Sequence, residues 1–269
     1  MTTQERIEAI QSRLGLEPDG LIGPVTLTAI ERLLDKVAGG QAAGQAAGQV
    51  AAPVRMTCST SGLDMLVGFE ISSEGFYHQK LRHPTWPGSE SGVTIGIGYD
   101  LGFSSIAQLH RDWDGHIADA DVLALEVACK QQGQAARQLL RNRPSLAAVV
   151  VPLTAAQQVF YLASLPTYAQ TCLKAYPGVQ HLPADAQSAM LSLVYNRGAN
   201  KSGSSRSEMK DLTGAIETGD LEGMALLLES MKRLWEGRNL DGLLKRRDQE
   251  AELVRRARRH YAAEELVLL

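Results

Sequence analysis

The sequence predicts a mostly helical α+β protein in two parts, and three observations carry that prediction. Apolar residues recur at helical spacing along most of the chain, one short segment alternates as a strand does, and a Gly/Ala/Gln-rich stretch separates a small N-terminal part from a large C-terminal one. Aromatic residues make up only 5% of the 269, so the core must rest on Leu, Ala, Val and Ile, which favours helices. The formal net charge of −3 gives no global attraction to nucleic acid, and no nucleic-acid partner is expected.

The N-terminal part, residues 1–37, reads as a small all-α module. Thr2-Thr3-Gln4-Glu5 offers a capping box, and Ile7, Ile10 and Leu14 follow at helical spacing. Asp19-Gly20 and Gly23-Pro24 mark turns, and Leu27, Ile30, Leu33, Leu34 and Val37 carry a second amphipathic helix. So small a core is marginal by burial alone, which points to a binding task. Ile10-Gln11-Ser12-Arg13-Leu14-Gly15-Leu16, then Asp19-Gly20, Gly23-Pro24-Val25-Thr26 and Ala29-Ile30, resembles the widespread peptidoglycan-binding domain, without that family's later part after Leu34. The resemblance implies that Asp19, Gly20 and Thr26 contribute to wall binding. The alternative is a helical hairpin that packs on the main domain. Residues 38–54 repeat Gly-Gln-Ala-Ala, with no apolar stripe to dock them, and read as a linker.

Residues 55–269 form the large domain. Leu63, Leu66, Val67 and Ile71 make one helical stripe, and further helices are predicted at about 119–141, 154–175, 183–196, 207–217, 220–235 and 241–262. Only Gly92 to Leu101 reads as extended, with Val93, Ile95, Ile97 and Tyr99 alternating against Thr94, Gly96, Gly98 and Asp100.

The chemistry starts at Glu74-Gly75-Phe76-Tyr77, just past the first stripe. A carboxyl set at a helix end against aromatic rings tends to lose water and keep its proton, as a general acid for glycosidic cleavage must. Thr94 and Asp100 share strand parity, yet in a straight strand they would stand about 20 Å apart. They can meet only if the chain reverses between them, and Gly96 and Gly98 permit that reversal. The segment therefore predicts a tight hairpin with a hydroxyl on one arm and a carboxylate on the other.

Together these two segments resemble the phage-type lysozymes, which carry a catalytic Glu-Gly after a first helix and a Thr-Ile-Gly-x-Gly hairpin across the cleft. In that family the catalytic Asp precedes the Thr, where this chain has Gly88; the six-residue step from Thr94 to Asp100 is instead similar to the pesticin-like branch. Downstream, Leu153-Thr154 with Gln157, Leu193-Val194-Tyr195-Asn196-Arg197-Gly198, and Trp235 with Gly242-Leu243-Leu244-Lys245-Arg246-Arg247 and Glu250 look like the family's later features. The resemblance, from about Leu63 to Val254, implies a lysozyme-like domain that cleaves between N-acetylmuramic acid and N-acetylglucosamine. It implies Glu74 as the acid, Asp100 as the carboxylate that steadies the transition state or activates water, and Thr94 as the residue that positions the water. Asn196 is a candidate for shaping the substrate cleft, or a helix-capping residue. Arg246, Arg247 and Glu250 read as structural ion pairs. No metal or organic cofactor is expected.

Two carboxylates compete for these roles. Glu70 lies one helical turn before Glu74, so the two share a face, and Glu90 sits in a Gly-Ser-Glu-Ser-Gly loop that favours a solvated side chain. The six histidines show no metal-ligand spacing, and Cys58, Cys129 and Cys172 read as reduced structural thiols. Lys245 to Arg259 is rich in cations and is either a helix for an anionic outer-membrane surface or a solvated helix face. No signal peptide or membrane span is read at the N-terminus, so the expectation is a monomer made in the cytoplasm that reaches the periplasmic wall after release. Peptidoglycan is the expected partner. The competing readings are a non-catalytic wall-binding protein and an antibacterial toxin delivered between cells.

Overall fold

The computed structural model describes residues 8–12, 18, 26, 54–71, 73–257 and 260–269. The chain is mostly helical with small two-stranded sheets, an α+β protein as predicted, and it gathers into two compact units. One unit combines the chain up to Leu66 with Thr167–Leu269; the other is Val67–Pro166.

The first unit is built around one helix. In order, its elements are β1 (Thr57–Ser59), the start of α1 (Thr60–Ile71), then from α8 (Leu165–Ala175) onward α9 (Ala184–Arg197), α10 (Ser207–Thr218), α11 (Leu221–Ser230), α12 (Asp241–Arg255) and β4 (Leu266–Leu268). α9 starts behind Pro183, whose ring suits the entry to a helix and not its interior, and stops at Gly198, which takes φ +70°. Ala184 to Val194 is buried on every side. A helix buried all round must satisfy its polar side chains internally, and this one does. Gln187 accepts from the Thr57 N–H (2.7 Å) and donates to the Leu182 carbonyl (2.7 Å); Ser188 accepts from the Ser59 N–H (2.8 Å). These bonds fix β1 against α9, and β4 completes the sheet antiparallel to β1, with Cys58 opposite Val267.

The β1–β4 sheet corrects the expectation of a helix running to residue 262. α12 ends at Arg255, and the tail returns as a strand that buries Val267 and Leu269. Three-residue strands are too short to show alternation, so the sequence carries no sign of them. The predicted helix over 119–141 also divides, into α4 (Asp119–Leu125) and α5 (Gly133–Asn142), because Lys130 and Gly133 take φ +61° and +58° between them.

The cation-rich C-terminal stretch is only partly a surface. Arg246 and Arg247 are buried beside the buried Glu250 at 3.4 and 2.8 Å, and Ser192 donates to that carboxylate at 2.6 Å. Arg255 pairs with Glu222 and Glu229. Three of the cations of this stretch are spent on ion pairs within the protein, Lys245 and Arg256 are exposed, and Arg258 and Arg259 lie outside the described residues. The three cysteines are free and buried, and burial pushes the Cys58 thiol up to about 12. No helix among the described residues is long and apolar enough to cross a membrane.

Of the N-terminal module, residues 8–12 are helical, and the Gln11 amide donates to the buried Thr26 hydroxyl at 3.0 Å. Thr26 thus joins two segments of the module. Asp19 and Gly20 lie outside the described residues.

Removing one partner of a buried ion pair strands the others. Glu250→Ala is expected to destabilise the protein by about 3–5 kcal/mol in urea unfolding, against under about 0.5 kcal/mol for the exposed Lys245→Ala. Equal midpoints for the two variants would remove the Arg246–Glu250–Arg247 cluster from the basis of this unit.

Candidate active site

The catalytic residues expected from the sequence all fall in the unit Val67–Pro166. Its elements are the end of α1, α2 (Glu74–Phe76, continued by a π-helical turn Tyr77–Leu81), β2 (Thr94–Ile95), β3 (Tyr99–Asp100), α3 (Ile106–Trp113), α4, α5, α6 (Pro144–Ala147) and α7 (Leu153–Val159).

The hairpin forms as predicted. β2 and β3 pair antiparallel with Thr94 opposite Asp100 and Ile95 opposite Tyr99. Gly96 and Gly98 make the reversal at φ +56° and +69°. Val93, Ile95 and Ile97 are buried, so the hairpin is anchored by its apolar residues. Thr94 also exchanges backbone bonds with Thr85 (2.8 and 2.9 Å), and the Tyr99 hydroxyl donates to Asp112 at 2.9 Å while its ring meets Trp113 edge-on.

Asp100 closes the base of the hairpin. Its Oδ1 accepts from the N–H groups of Gly92 (3.0 Å) and Gly102 (2.8 Å), and Oδ2 lies 3.1 Å from the Gly92 nitrogen. Burial pushes its pKa up, and those two backbone bonds pull it partly back. Gly92 is there because nothing larger fits: a Cβ would stand 2.3 Å from the Gly102 nitrogen and 2.4 Å from Oδ1 of Asp100. Glu90, by contrast, is exposed, and among the described residues its carboxylate has no hydrogen-bond partner. Of the two carboxylates near Thr94, only Asp100 is fixed.

Glu74 stands elsewhere in the local chain than expected. α1 ends at Ile71, and Ser73, in extended conformation, caps a new helical turn by accepting from the Phe76 N–H at 3.1 Å. Glu74 is the first residue of that turn, so Glu70 and Glu74 do not share one continuous helix face. The expected cover by aromatic rings is also corrected. Glu74 and Phe76 are exposed, and only Tyr77 turns inward, its hydroxyl donating to the Val151 carbonyl at 3.0 Å.

An open depression of about 440 Å³ is lined by Glu74, His78, Arg82 and the stretch Val150 to Thr154. Its two walls are stitched together. The Val151 N–H donates to the Arg82 carbonyl (2.8 Å), and His83 Nδ1 is 2.9 Å from the Val149 carbonyl oxygen. Four polar side chains, Glu74, His78, Arg82 and Thr154, border this depression without a hydrogen bond among the described residues. His78 and Arg82 carry no role in the sequence reading. The spacing of four from Glu74 would have marked His78 once the helix was known to restart at residue 74, whereas Arg82 reaches the same side only through the π turn over Tyr77–Leu81. Asn196 lies in the other unit, exposed at the end of α9, where its Oδ1 accepts from Arg247 Nη2 at 3.3 Å.

Residues 66–246 match the family described as domain of unknown function DUF8812. The chain belongs to the DUF8812 family. The DUF8812 domain contains Glu74, Thr94, Asp100 and Asn196, and the segment resembling a peptidoglycan-binding domain lies upstream of it. A comparison with curated proteins gave no match.

The close approach at the hairpin base generates a test. Gly92→Ala is expected to cost roughly 1–3 kcal/mol or more, since its Cβ would press on backbone that cannot swing aside. Gly214→Ala, in α10 with open space around it, should instead gain about 0.5–1 kcal/mol. Thermal unfolding of both variants checks this, and a Gly92→Ala protein as stable as wild type would show that the Asp100 clamp is not tight.

Proposed function

We propose that this DUF8812 protein is a muramidase with a lysozyme-like domain, an endolysin-type enzyme that hydrolyses the β-1,4 bond between N-acetylmuramic acid and N-acetylglucosamine in bacterial peptidoglycan. The observation that carries the reading is the register of Thr94 against Asp100 in a glycine-turned hairpin, in the same compact unit as a glutamate that borders an open depression.

In this reading Glu74 gives its proton to the glycosidic oxygen as the bond to the anomeric carbon breaks. The sugar left behind carries oxocarbenium-like positive charge, which the negative charge of Asp100 stabilises. A water positioned by the Thr94 hydroxyl adds to the anomeric carbon and passes its proton to solvent, from which Glu74 is reprotonated, leaving two shorter glycans. Glu74 is exposed in the free protein, so the bound glycan itself provides the dry surroundings that proton transfer needs. The clamp on Asp100 serves the same end, since a group held by two backbone donors need not be ordered during the reaction. The N-terminal segment keeps the enzyme on the wall as a tethered second contact. The order of the two parts suits a protein set free by a partner pore.

Paired conservative variants test the assignment by clearing of permeabilised cells. Glu74→Gln should abolish lysis with unchanged thermal unfolding, while Glu70→Gln retains most of it. Asp100→Asn should lower turnover by about two orders of magnitude or more, and Glu90→Gln should stay within several-fold of wild type. Equal losses at residues 70 and 74, or a larger loss at residue 90 than at 100, would sink the assignment.

A further inference from the structure

Arg82 differs from the arginines around which the rest of the fold is organised. Arg233, Arg246, Arg247 and Arg255 each pair with a carboxylate. The Arg82 guanidinium makes no hydrogen bond or ion pair among the described residues, although its backbone is held on both sides. Its N–H donates to the Tyr77 carbonyl at 3.0 Å, and its own carbonyl accepts from Val151. The side chain therefore leaves a fixed point and lines the depression that also holds Glu74.

The helix geometry places it there. On a regular α-helix a residue eight positions on would overshoot Glu74 by about 80°. The π turn over Tyr77–Leu81 takes more residues per turn and removes most of that overshoot, so Glu74, His78 and Arg82 line one depression. The opposite wall, Val150 to Leu153, is apolar and offers no counter-charge. An unpaired guanidinium carried from a fixed backbone point beside an imidazole, facing an apolar wall, suits a planar anion that can accept two parallel N–H bonds.

We propose that Arg82, with His78 beside it, forms a subsite that takes a carboxylate carried by the muramic acid residue. This rests on the muramidase reading. Two sources offer that chemistry: the lactyl group, when it bears no peptide, and the stem peptide, when it does. Glucosamine-only glycans offer neither. Arg82 is then a specificity residue that separates wall glycan from chitin-like glycan, and it takes no part in bond cleavage.

The test is a binding titration of the full chain carrying Glu74→Gln, with and without Arg82→Gln, against three tetrasaccharides. One has free lactyl groups, one bears stem peptides, and one is built of N-acetylglucosamine alone. Loss of a charge-assisted pair should raise Kd about tenfold for a carboxylate-bearing glycan and leave the glucosamine glycan unchanged. A loss confined to the free-lactyl glycan assigns the lactyl group, and one confined to the peptide-bearing glycan assigns the stem. Arg82→Lys should recover part of the affinity. An equal loss on all three glycans, or on none, overturns the subsite. Failure of the muramidase reading would show separately, as a wild-type chain that leaves sacculi uncut while Arg82-dependent binding persists.

Discussion

The hairpin base depends on one interaction, the Asp100 carboxylate held between the N–H groups of Gly92 and Gly102. The bonds need the two glycine segments nearly in contact, and that approach leaves no room for a Cβ at either residue. Once the base is closed, the register follows: Thr94 stands opposite Asp100, and the turn falls on Gly96 and Gly98, where positive φ costs least. The loop from Lys130 to Gly133 then seats against the same base, with Lys130 N–H on the Leu101 carbonyl and Gly133 N–H on that of Ser91. A single half-buried carboxylate thus orders three chain segments and is itself ordered by them.

This arrangement makes Asp100 a structural residue and is compatible with the role proposed for it. Oδ1 accepts from two backbone donors and Oδ2 shares only that of Gly92, so Oδ2 keeps more acceptor capacity. A carboxylate held by backbone donors with acceptor capacity to spare suits electrostatic work. The Glu74 side is built differently. Its helical turn is restarted by the Ser73 cap, and its backbone is tied to the Val149–Val151 stretch by the bonds of Tyr77, Arg82 and His83. The carboxylate itself has no partner among the described residues, so the scaffold fixes where Glu74 starts while solvent holds its end.

What could be read from the sequence followed the length of each signal. The hairpin was legible because alternation over ten residues and two glycines at the reversal agree. The helices from 153 onward were legible from long apolar periodicity, apart from the end of α12. The break between α1 and α2 was not, because Ser72-Ser73 carries no proline or glycine, and a serine cap in mid-pattern looks like a polar helical position. The pairing of β1 with β4 was not legible either, since it joins three-residue strands far apart in the sequence. The pairing of Arg246 and Arg247 with Glu250 was legible as structural ion pairs, whereas their burial shows only in the packing, because charge content counts the cations of a helix and not which of them turn inward.

Mass analysis of the fragments released from purified sacculi tests the glycosidase assignment most directly. Hydrolysis by water at the anomeric carbon predicts disaccharide-peptides ending in a reducing N-acetylmuramic acid that borohydride converts to the alcohol. Fragments with anhydromuramic ends, or sacculi whose glycan strands stay intact while only peptides are released, would contradict it.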